Sequence, residues 1–210
     1  MKLFESTHSF PHSWSTLTTA NWRKYPNELS QHVIACDVLS REIDPATGVL
    51  RTERLLTCKQ NIPSIVHRLG LPVPQCMYFL EVSYLDPAAQ TYTAVSTNLM
   101  MRGVLTVEET CKFRQVESDP SSTQFDQKVS ITALGALSTF ARLVEDAAIN
   151  RFKSNAHKGR AALESVIDKV VDEARAVESR VAEGLEGLRK DLQHGWAGAT
   201  HQSQPAQSRN

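Results

Sequence analysis

Few residues of this chain have the types and spacing that catalysis or metal binding requires. Its seven histidines are scattered, and of these only His8 and His12 are four residues apart, across a predicted strand end and a turn. The patterns G-x-S-x-G, H-E-x-x-H, the P-loop and G-x-G-x-x-G are all absent. Glu108 and Glu109 resemble a carboxylate pair, but neighbours on a strand point to opposite faces. The sequence therefore predicts that the protein is not an enzyme and has no metal or cofactor site.

Charge and cysteine spacing narrow the class of protein further. Lys+Arg and Asp+Glu both number 23, so no bulk charge draws the chain to nucleic acid or to an anionic membrane. The cysteines show no zinc-like spacing, and whether they pair in disulfides stays open; they are Cys36, Cys58, Cys76 and Cys111. No apolar run approaches the ~18 residues of a membrane span, and neither a secretory signal nor a transit peptide is expected at the N-terminus.

A long loop, Gln60–Pro74, lies between two predicted strands where a tight turn would suffice. Loops of this length inside compact domains tend to be lids or binding elements. Lys59 at its root and Arg68 within it make the loop basic, and aliphatic side chains make it apolar, which suits contact with a lipid headgroup layer. A loop packed onto the core is the alternative. The aliphatic residues are Ile62, Ile65, Val66, Leu69 and Leu71.

A second unusual segment, Asn155–Arg160, lies within a helical pattern and contains Gly159. A glycine inside a helix costs up to about 1 kcal/mol relative to alanine, so we expect a strand or a ligand to approach closely there. Lys158 lies near the apolar face of the predicted helix. It can either extend to solvent or meet an anionic group at the mouth of the sheet.

Alternating apolar residues bounded by turn residues predict seven strands and a short helix, Trp14–Lys24. Short connections such as Asp44–Gly48 and Asp119–Thr123 make neighbouring strands antiparallel. The apolar alternation of the second and sixth strands can line one face of a cavity. The predicted strands are Lys2–Phe10, Val33–Ile43, Val49–Lys59, Cys76–Leu85, Thr91–Leu99, Val104–Val116 and Gln124–Leu134.

A long helix is predicted from Leu137 to about Leu192, because apolar or small residues recur there at spacings of three and four. Helices gathered on one face of an antiparallel sheet give an α+β fold. The tail from Gly195 is rich in Gln, Ser, Ala and Gly and is expected to be disordered.

Several dispersed motifs, in the same order along the chain, resemble the PRELI-like mitochondrial lipid-transfer family. The resemblance runs from Met1 to about Val170, and the stretch Ala20–Glu28 is similar to the slowmo-type, fungal branch. The motifs are Lys24-Tyr25-Pro26-Asn27, His32-Val33, Asp37-Val38-Leu39, Arg54-Leu55-Leu56, Ile62-Pro63, Val82-Ser83 with Asp86-Pro87, and Asn155 with Lys158-Gly159-Arg160.

This resemblance implies a fold and a function. The family fold is a START-like curved antiparallel sheet that encloses a lipid cavity and is covered by a long C-terminal helix. Members carry phospholipids through the mitochondrial intermembrane space, as soluble or peripheral proteins paired with a small helical partner that has twin C-x9-C motifs. Slowmo-type members carry phosphatidylserine from the outer to the inner membrane, which supports phosphatidylethanolamine synthesis. The alternatives are a phosphatidic acid carrier that supports cardiolipin synthesis, and a scaffold that binds its partner and membranes without transferring lipid.

The resemblance also assigns residues to the expected site. Headgroup binding is expected from Lys24, Arg54, Lys59 and Lys158, and the lid from Ile62, Pro63, Ile65, Val66 and Leu69. It divides the chain into a lipid-transfer domain, 1–170, a helical extension, 171–194, and a disordered tail, 195–210.

Three positions separate this chain from the phosphatidic acid carriers that it resembles. Cys58 and Asn61 stand where those proteins have Lys or Arg, and Ile65 stands where they have Trp. A compact phosphomonoester favours a cluster of cations, whereas phosphatidylserine adds a carboxylate and an ammonium. The departures therefore favour phosphatidylserine.

Overall fold

Seven strands form one antiparallel sheet in the computed structural model, which describes residues 1–59 and 74–200. Their order is β1-β7-β6-β5-β4-β3-β2, so each strand from β2 to β6 lies beside its successor in the chain, while β1 pairs with β7. The strands are β1 Lys2–Phe10, β2 Val33–Ile43, β3 Leu50–Lys59, β4 Cys76–Asp86, β5 Thr91–Asn98, β6 Leu105–Val116 and β7 Asp119–Ala133. The predicted α+β class is confirmed.

Helix α1, Trp14–Trp22, begins where the Ser13 hydroxyl accepts a hydrogen bond from the amide of Thr16, at 3.3 Å. Its buried face includes Leu17 and Ala20. The helix ends two residues before the predicted Lys24, and the chain then turns through a cis Tyr25-Pro26 peptide and a short 3-10 helix, Glu28–Ser30.

Helix α2, Ala141–Thr200, starts later than predicted, because a 3-10 helix at Gly135–Phe140 precedes it. Gly135 has a φ of +52°, and a Cβ there would lie 2.9 Å from the carbonyl oxygen of Gly103, so only glycine fits this corner. Buried side chains of α2, such as Ile149 and Leu163, belong to the apolar core. Among the helices described, none combines the length and the hydropathy that crossing a membrane requires.

One predicted turn is wrong. Asp119–Thr123 was expected to be a polar turn, but these residues begin β7, and the chain reverses between Val116 and Asp119, which face each other. Thr123 is fully buried, and its hydroxyl donates to the His12 carbonyl at 2.8 Å. Polar side chains that bond to the main chain resemble turn residues in sequence even where they belong to a strand.

Contacts divide the chain into two units, Met1–Ile167 and Asp168–Asn210. The described part of the second unit is helical to Thr200, which includes the predicted extension and the first residues of the predicted tail, 195–210. Residues 201–210 lie outside the described residues, so disorder there stays a prediction. Five apolar side chains of this unit are exposed: Val177, Val181, Leu185, Leu188 and Leu192.

Candidate functional site

Two adjoining cavities lie in the first unit, between the sheet and the start of α2. The polar chamber encloses about 760 Å³ of space free of atoms and the apolar chamber about 1070 Å³, part of it in each case open solvent. The polar chamber is lined by Lys24, Arg54, Tyr92, Gln127 and Arg160 among others, and the apolar chamber by Val33, Leu56, Met77, Phe79, Leu105, Val107 and Ile131 among others. Seven residues line both: Tyr25, His32, Glu81, Ser96, Glu109, Phe152 and Asn155.

Alternation along the strands sets which side chains enter these chambers. On β6, Leu105 and Val107 line the apolar chamber, Glu109 lines both, and Cys111 and Phe113 line the polar one. The same period places a charged residue among uncharged ones on the inner face of β6, where Glu109 lies between Val107 and Cys111. The expectation that β2 lines the cavity is wrong for most of that strand. It is an edge strand, and of its residues Val33 alone is among the described lining.

Arg54 and Glu81 form a buried ion pair in the polar chamber. Opposite each other on β3 and β4, they join at 2.8 Å from Arg54 Nε and 2.6 Å from its terminal nitrogen. The guanidinium also lies over the ring of Trp22, at 5.2 Å from the centroid. Burial, the largest single effect, lowers the pKa of Arg54, but Glu81, Tyr92 and Cys36 together raise it more, so the net shift is upward. Arg54 is therefore permanently charged and already neutralised.

Lys24 brings a second cation to the same chamber. Its ammonium lies 5.1 Å from the centre of the Tyr25 ring. Burial lowers the pKa of Lys24, while Tyr25, Cys111 and Glu109 raise it, with a net rise. The ammonium therefore keeps its proton at neutral pH, although it lies inside the protein.

The loop after α1 is fixed to α2 directly beside Lys24. The side-chain amide of Asn27 donates to the carbonyl of Ala162 at 3.2 Å and to the hydroxyl of Ser165 at 3.3 Å. A Cβ on Gly159 would lie 3.4 Å from the Lys24 ammonium nitrogen. The group nearest to the absent side chain of Gly159 is thus a lysine from a distant loop, not the strand or ligand that the sequence leads us to expect. The missing side chain leaves room above the ammonium.

His32 lines both chambers and is surrounded by cations. Burial lowers its pKa, and Arg151, Lys24 and Lys158 lower it further through their positive charge. The imidazole is therefore neutral at pH 7 and can accept or donate a hydrogen bond there.

The other predicted headgroup residues are more peripheral. Lys59 is exposed and lines the apolar chamber, at the root of the predicted lid. Lys158 is exposed on α2 and is not among the lining residues described for either chamber, although its charge reaches His32. The predicted lid residues, Ile62, Pro63, Ile65, Val66 and Leu69, lie outside the described residues, and their role stays a prediction.

Sequence reasoning missed the acidic half of the polar chamber. Glu81 lies in phase with Met77 and Phe79 on β4, and Glu109 with Leu105 and Val107 on β6. An alternating strand that has a carboxylate at a position where its other residues are apolar indicates a buried charge. Such a charge needs a hydrogen-bonding or ion-pair partner inside the protein, so the sequence pattern alone could have identified both glutamates.

The cysteines all lie within the described ranges, and there each is a thiol rather than half of a disulfide. Cys58 lines the apolar chamber. Its pKa is raised to about 12, mainly by burial and then by Glu109. A neutral thiol therefore stands where the resemblance gives phosphatidic acid carriers a cation.

Solved structures share this architecture. TTHA0849 from Thermus thermophilus is similar with a TM-score of 0.53 at 11% identity, covering 79% of this chain and 97% of that one. Zhui aromatase/cyclase from Streptomyces sp. R1128 gives a TM-score of 0.51 at 12% identity, covering 84% of this chain and 97% of that one. At such identities the likeness concerns the fold alone, and the expected antiparallel sheet with a long C-terminal helix is confirmed.

Comparison by sequence gives relatives with higher identity to this chain than those structures have. Protein UPS2, mitochondrial, from Saccharomyces cerevisiae is 37% identical over 198 residues, which are 90% of this chain and 86% of that protein. Protein slowmo homolog from Dictyostelium discoideum is 37% identical over 175 residues, 83% of this chain and 75% of that protein. The model of the PRELI-like family matches residues 15–174. The chain therefore belongs to the PRELI-like family, and the resemblance to its slowmo-type members is confirmed.

Proposed function

We propose that this protein is a mitochondrial phospholipid carrier that moves phosphatidylserine from the outer to the inner membrane through the intermembrane space, and so supports phosphatidylethanolamine synthesis. The observation that carries the proposal is the junction of two unlike chambers. A chamber lined by charged side chains opens onto one lined mainly by aliphatic and aromatic ones. An amphiphile with a charged head and apolar chains has this same division.

The energetics of transfer require such a cavity. A two-chain lipid in water exposes about 30 CH₂ groups at roughly 0.8 kcal/mol each, on the order of 24 kcal/mol. An apolar chamber that replaces the bilayer removes most of this barrier without a catalytic group. The task needs burial and a charged headgroup site, which is what the two chambers offer.

Phosphatidylserine is supported by the charges of the polar chamber. Its described lining contains three basic residues, Lys24, Arg54 and Arg160, and two acidic ones, Glu81 and Glu109. Phosphatidylserine carries a phosphate, a carboxylate and an ammonium, so a mixed lining with a small positive excess complements it. A phosphomonoester has no ammonium to pair with Glu109, so it matches this lining less well.

Membership of the family supports the remaining parts of the proposal. The relative UPS2 is named as mitochondrial, and the family resemblance implies a small twin C-x9-C partner in the intermembrane space. We assign Lys24 to the headgroup, Lys59 and Lys158 to the rim, and Ile62, Pro63, Ile65, Val66 and Leu69 to a lid that touches the membrane. Arg54 orders the headgroup site through Glu81.

Vesicle transfer tests the activity. Donor vesicles containing fluorescent phosphatidylserine or phosphatidic acid are mixed with unlabelled acceptors and the full chain, with and without its twin C-x9-C partner. Faster movement of phosphatidylserine is expected. Movement of phosphatidic acid while phosphatidylserine stays in the donors would contradict the headgroup assignment.

Native mass spectrometry of the purified protein separates a carrier from a scaffold. A carrier is expected to retain one phospholipid per chain. An empty protein that still binds vesicles and its partner would identify a non-transferring scaffold instead. Recovery of the protein in the matrix, rather than in the intermembrane fraction of disrupted mitochondria, would contradict the proposed location.

A further inference from the structure

Glu109 occupies the junction of the two chambers, where the headgroup of an amphiphile meets its chains. It lies on β6 in phase with Leu105 and Val107, so its carboxylate faces inward. The preceding residue, Glu108, is exposed on the opposite face of the same strand. The two glutamates therefore differ in environment although they are adjacent in the chain.

The Glu109 carboxylate is held in place by neutral groups. The Gln127 amide donates to its Oε1 at 2.7 Å, and the Cys111 thiol donates to the same oxygen at 3.3 Å. Within residues 1–59 and 74–200, no side chain or amide donates to Oε2, and no cation lies within ion-pair distance. Glu81 differs in this respect, because Arg54 forms an ion pair with it at 2.6 Å.

Lys24 faces the same chamber without bridging to Glu109. After Tyr25 and Cys111, Glu109 is one of the groups whose charge raises the pKa of Lys24. A cation and an anion that line one cavity without closing on each other leave room for a ligand that carries both charges. Gly159 keeps the space above the Lys24 ammonium open.

We propose that Glu109 accepts the primary ammonium of an aminophospholipid headgroup, while Lys24 faces the anionic part of the same headgroup. This inference rests on the proposed carrier function and adds a determinant of specificity to it. The ammonium donates to the open Oε2 and gives the carboxylate the direct ion-pair partner that the described residues do not supply. A headgroup without an amine leaves Glu109 without that partner and brings its own negative charge toward it.

Loss of this contact has a predictable size. A hydrogen bond to a charged group contributes enough to change affinity by about tenfold or more. Phosphatidylserine and phosphatidylethanolamine both carry the amine, so both are expected to lose this factor when the carboxylate is removed. Phosphatidic acid and phosphatidylglycerol lack the amine and are expected to lose nothing or to gain.

The test compares Glu109→Gln with the matched control Glu108→Gln in the full chain. Each protein is given phosphatidylcholine donor vesicles that contain one labelled lipid: phosphatidylserine, phosphatidylethanolamine, phosphatidic acid or phosphatidylglycerol. We expect Glu109→Gln to lower the ratio of phosphatidylserine to phosphatidic acid transfer about tenfold, and Glu108→Gln to leave it unchanged. An unchanged ratio in Glu109→Gln would overturn the proposal.

A purely structural role for Glu109 predicts a different result. In that case Glu109→Gln would slow all four lipids alike and lower the thermal midpoint, which also overturns the proposal. Native mass spectrometry after incubation with equimolar phosphatidylserine and phosphatidic acid reads selectivity from the folded fraction only. Equal retention ratios in wild type and Glu109→Gln would again refute the ammonium subsite.

The two proposals fail in distinguishable ways. A wild-type protein that transfers none of the four lipids refutes the carrier function, and the subsite with it. A wild-type protein that carries lipid, but whose selectivity does not respond to Glu109→Gln, refutes the subsite alone.

Discussion

Replacing Glu81 by Gln is expected to destabilise the first unit strongly, because it leaves the buried guanidinium of Arg54 without its counter-charge. Arg54 is 3% exposed and receives its compensation from Glu81 at 2.6 and 2.8 Å. Removing one partner of a buried ion pair typically costs about 3–5 kcal/mol. The ring of Trp22 and the adjoining cavity offset part of this, so we expect a loss of about 3 kcal/mol.

The double variant Arg54→Met/Glu81→Leu separates the missing partner from the missing pair. Apolar residues of similar volume often replace a buried ion pair without loss of stability. The double variant is therefore expected to recover most of the stability that Glu81→Gln loses. Lipid transfer by this folded, uncharged variant then reports whether Arg54 serves the headgroup in addition to the fold.

Urea unfolding of the full chain, followed by tryptophan fluorescence, measures both effects. For a protein of this size, a loss of about 3 kcal/mol also corresponds to a fall of roughly 6–12 °C in thermal midpoint. Glu5→Gln is the control, because Glu5 pairs with Lys128 at 2.8 Å with both side chains more than half exposed, and it is expected to cost less than about 1 kcal/mol. Equal losses in Glu81→Gln and Glu5→Gln would refute the reasoning, since they would mean that water reaches Arg54.

Three further predictions concern the mouth of the polar chamber. Lys158→Glu is expected to reduce lipid transfer severalfold while leaving the urea midpoint unchanged, because Lys158 is exposed; an unchanged transfer rate would remove it from the site. Gly159→Leu is expected to abolish transfer by filling the space above the Lys24 ammonium, yet to leave the helix at least as stable, since leucine is the better helix former by up to about 1 kcal/mol; normal transfer would contradict this. The lowered pKa of His32 means that the unfolded chain binds its proton more readily, so its contribution to stability is complete above pH 6.5 and is lost as pH falls. His32→Asn should flatten this part of the profile of urea midpoint against pH, and an identical profile would show that other groups dominate it.

Local patterns predicted the elements of this fold well. Period-two alternation with Asp, Pro and Gly at the turns marked all seven strands. The predicted turn at Asp119–Thr123 is wrong because polar residues there belong to a strand, and one of them, Thr123, is buried in β7. Composition describes the chemistry of such a residue but not its burial.

The candidate site was less predictable, because its contacts join distant parts of the chain. Arg54 was selected from the resemblance, but its partner Glu81 emerges only from the register of β3 on β4. Gly159 indicates that some group lies close to this side of the helix, but no local sequence pattern identifies that group as Lys24. Tertiary pairing, rather than local propensity, decides which charges inside the protein are compensated.

The position of β1 also has a kinetic consequence. Among the described strands it pairs with β7 alone, in a register that sets Lys2 against Ile131. Because β1 leaves a ribosome or a translocation pore before β7 does, it must wait for β7 before it gains this partner. Pairing over such a sequence separation slows folding, so β1 remains unpaired while β2 to β6 pair with their neighbours, and the two ends of the sequence join only after β7 has emerged.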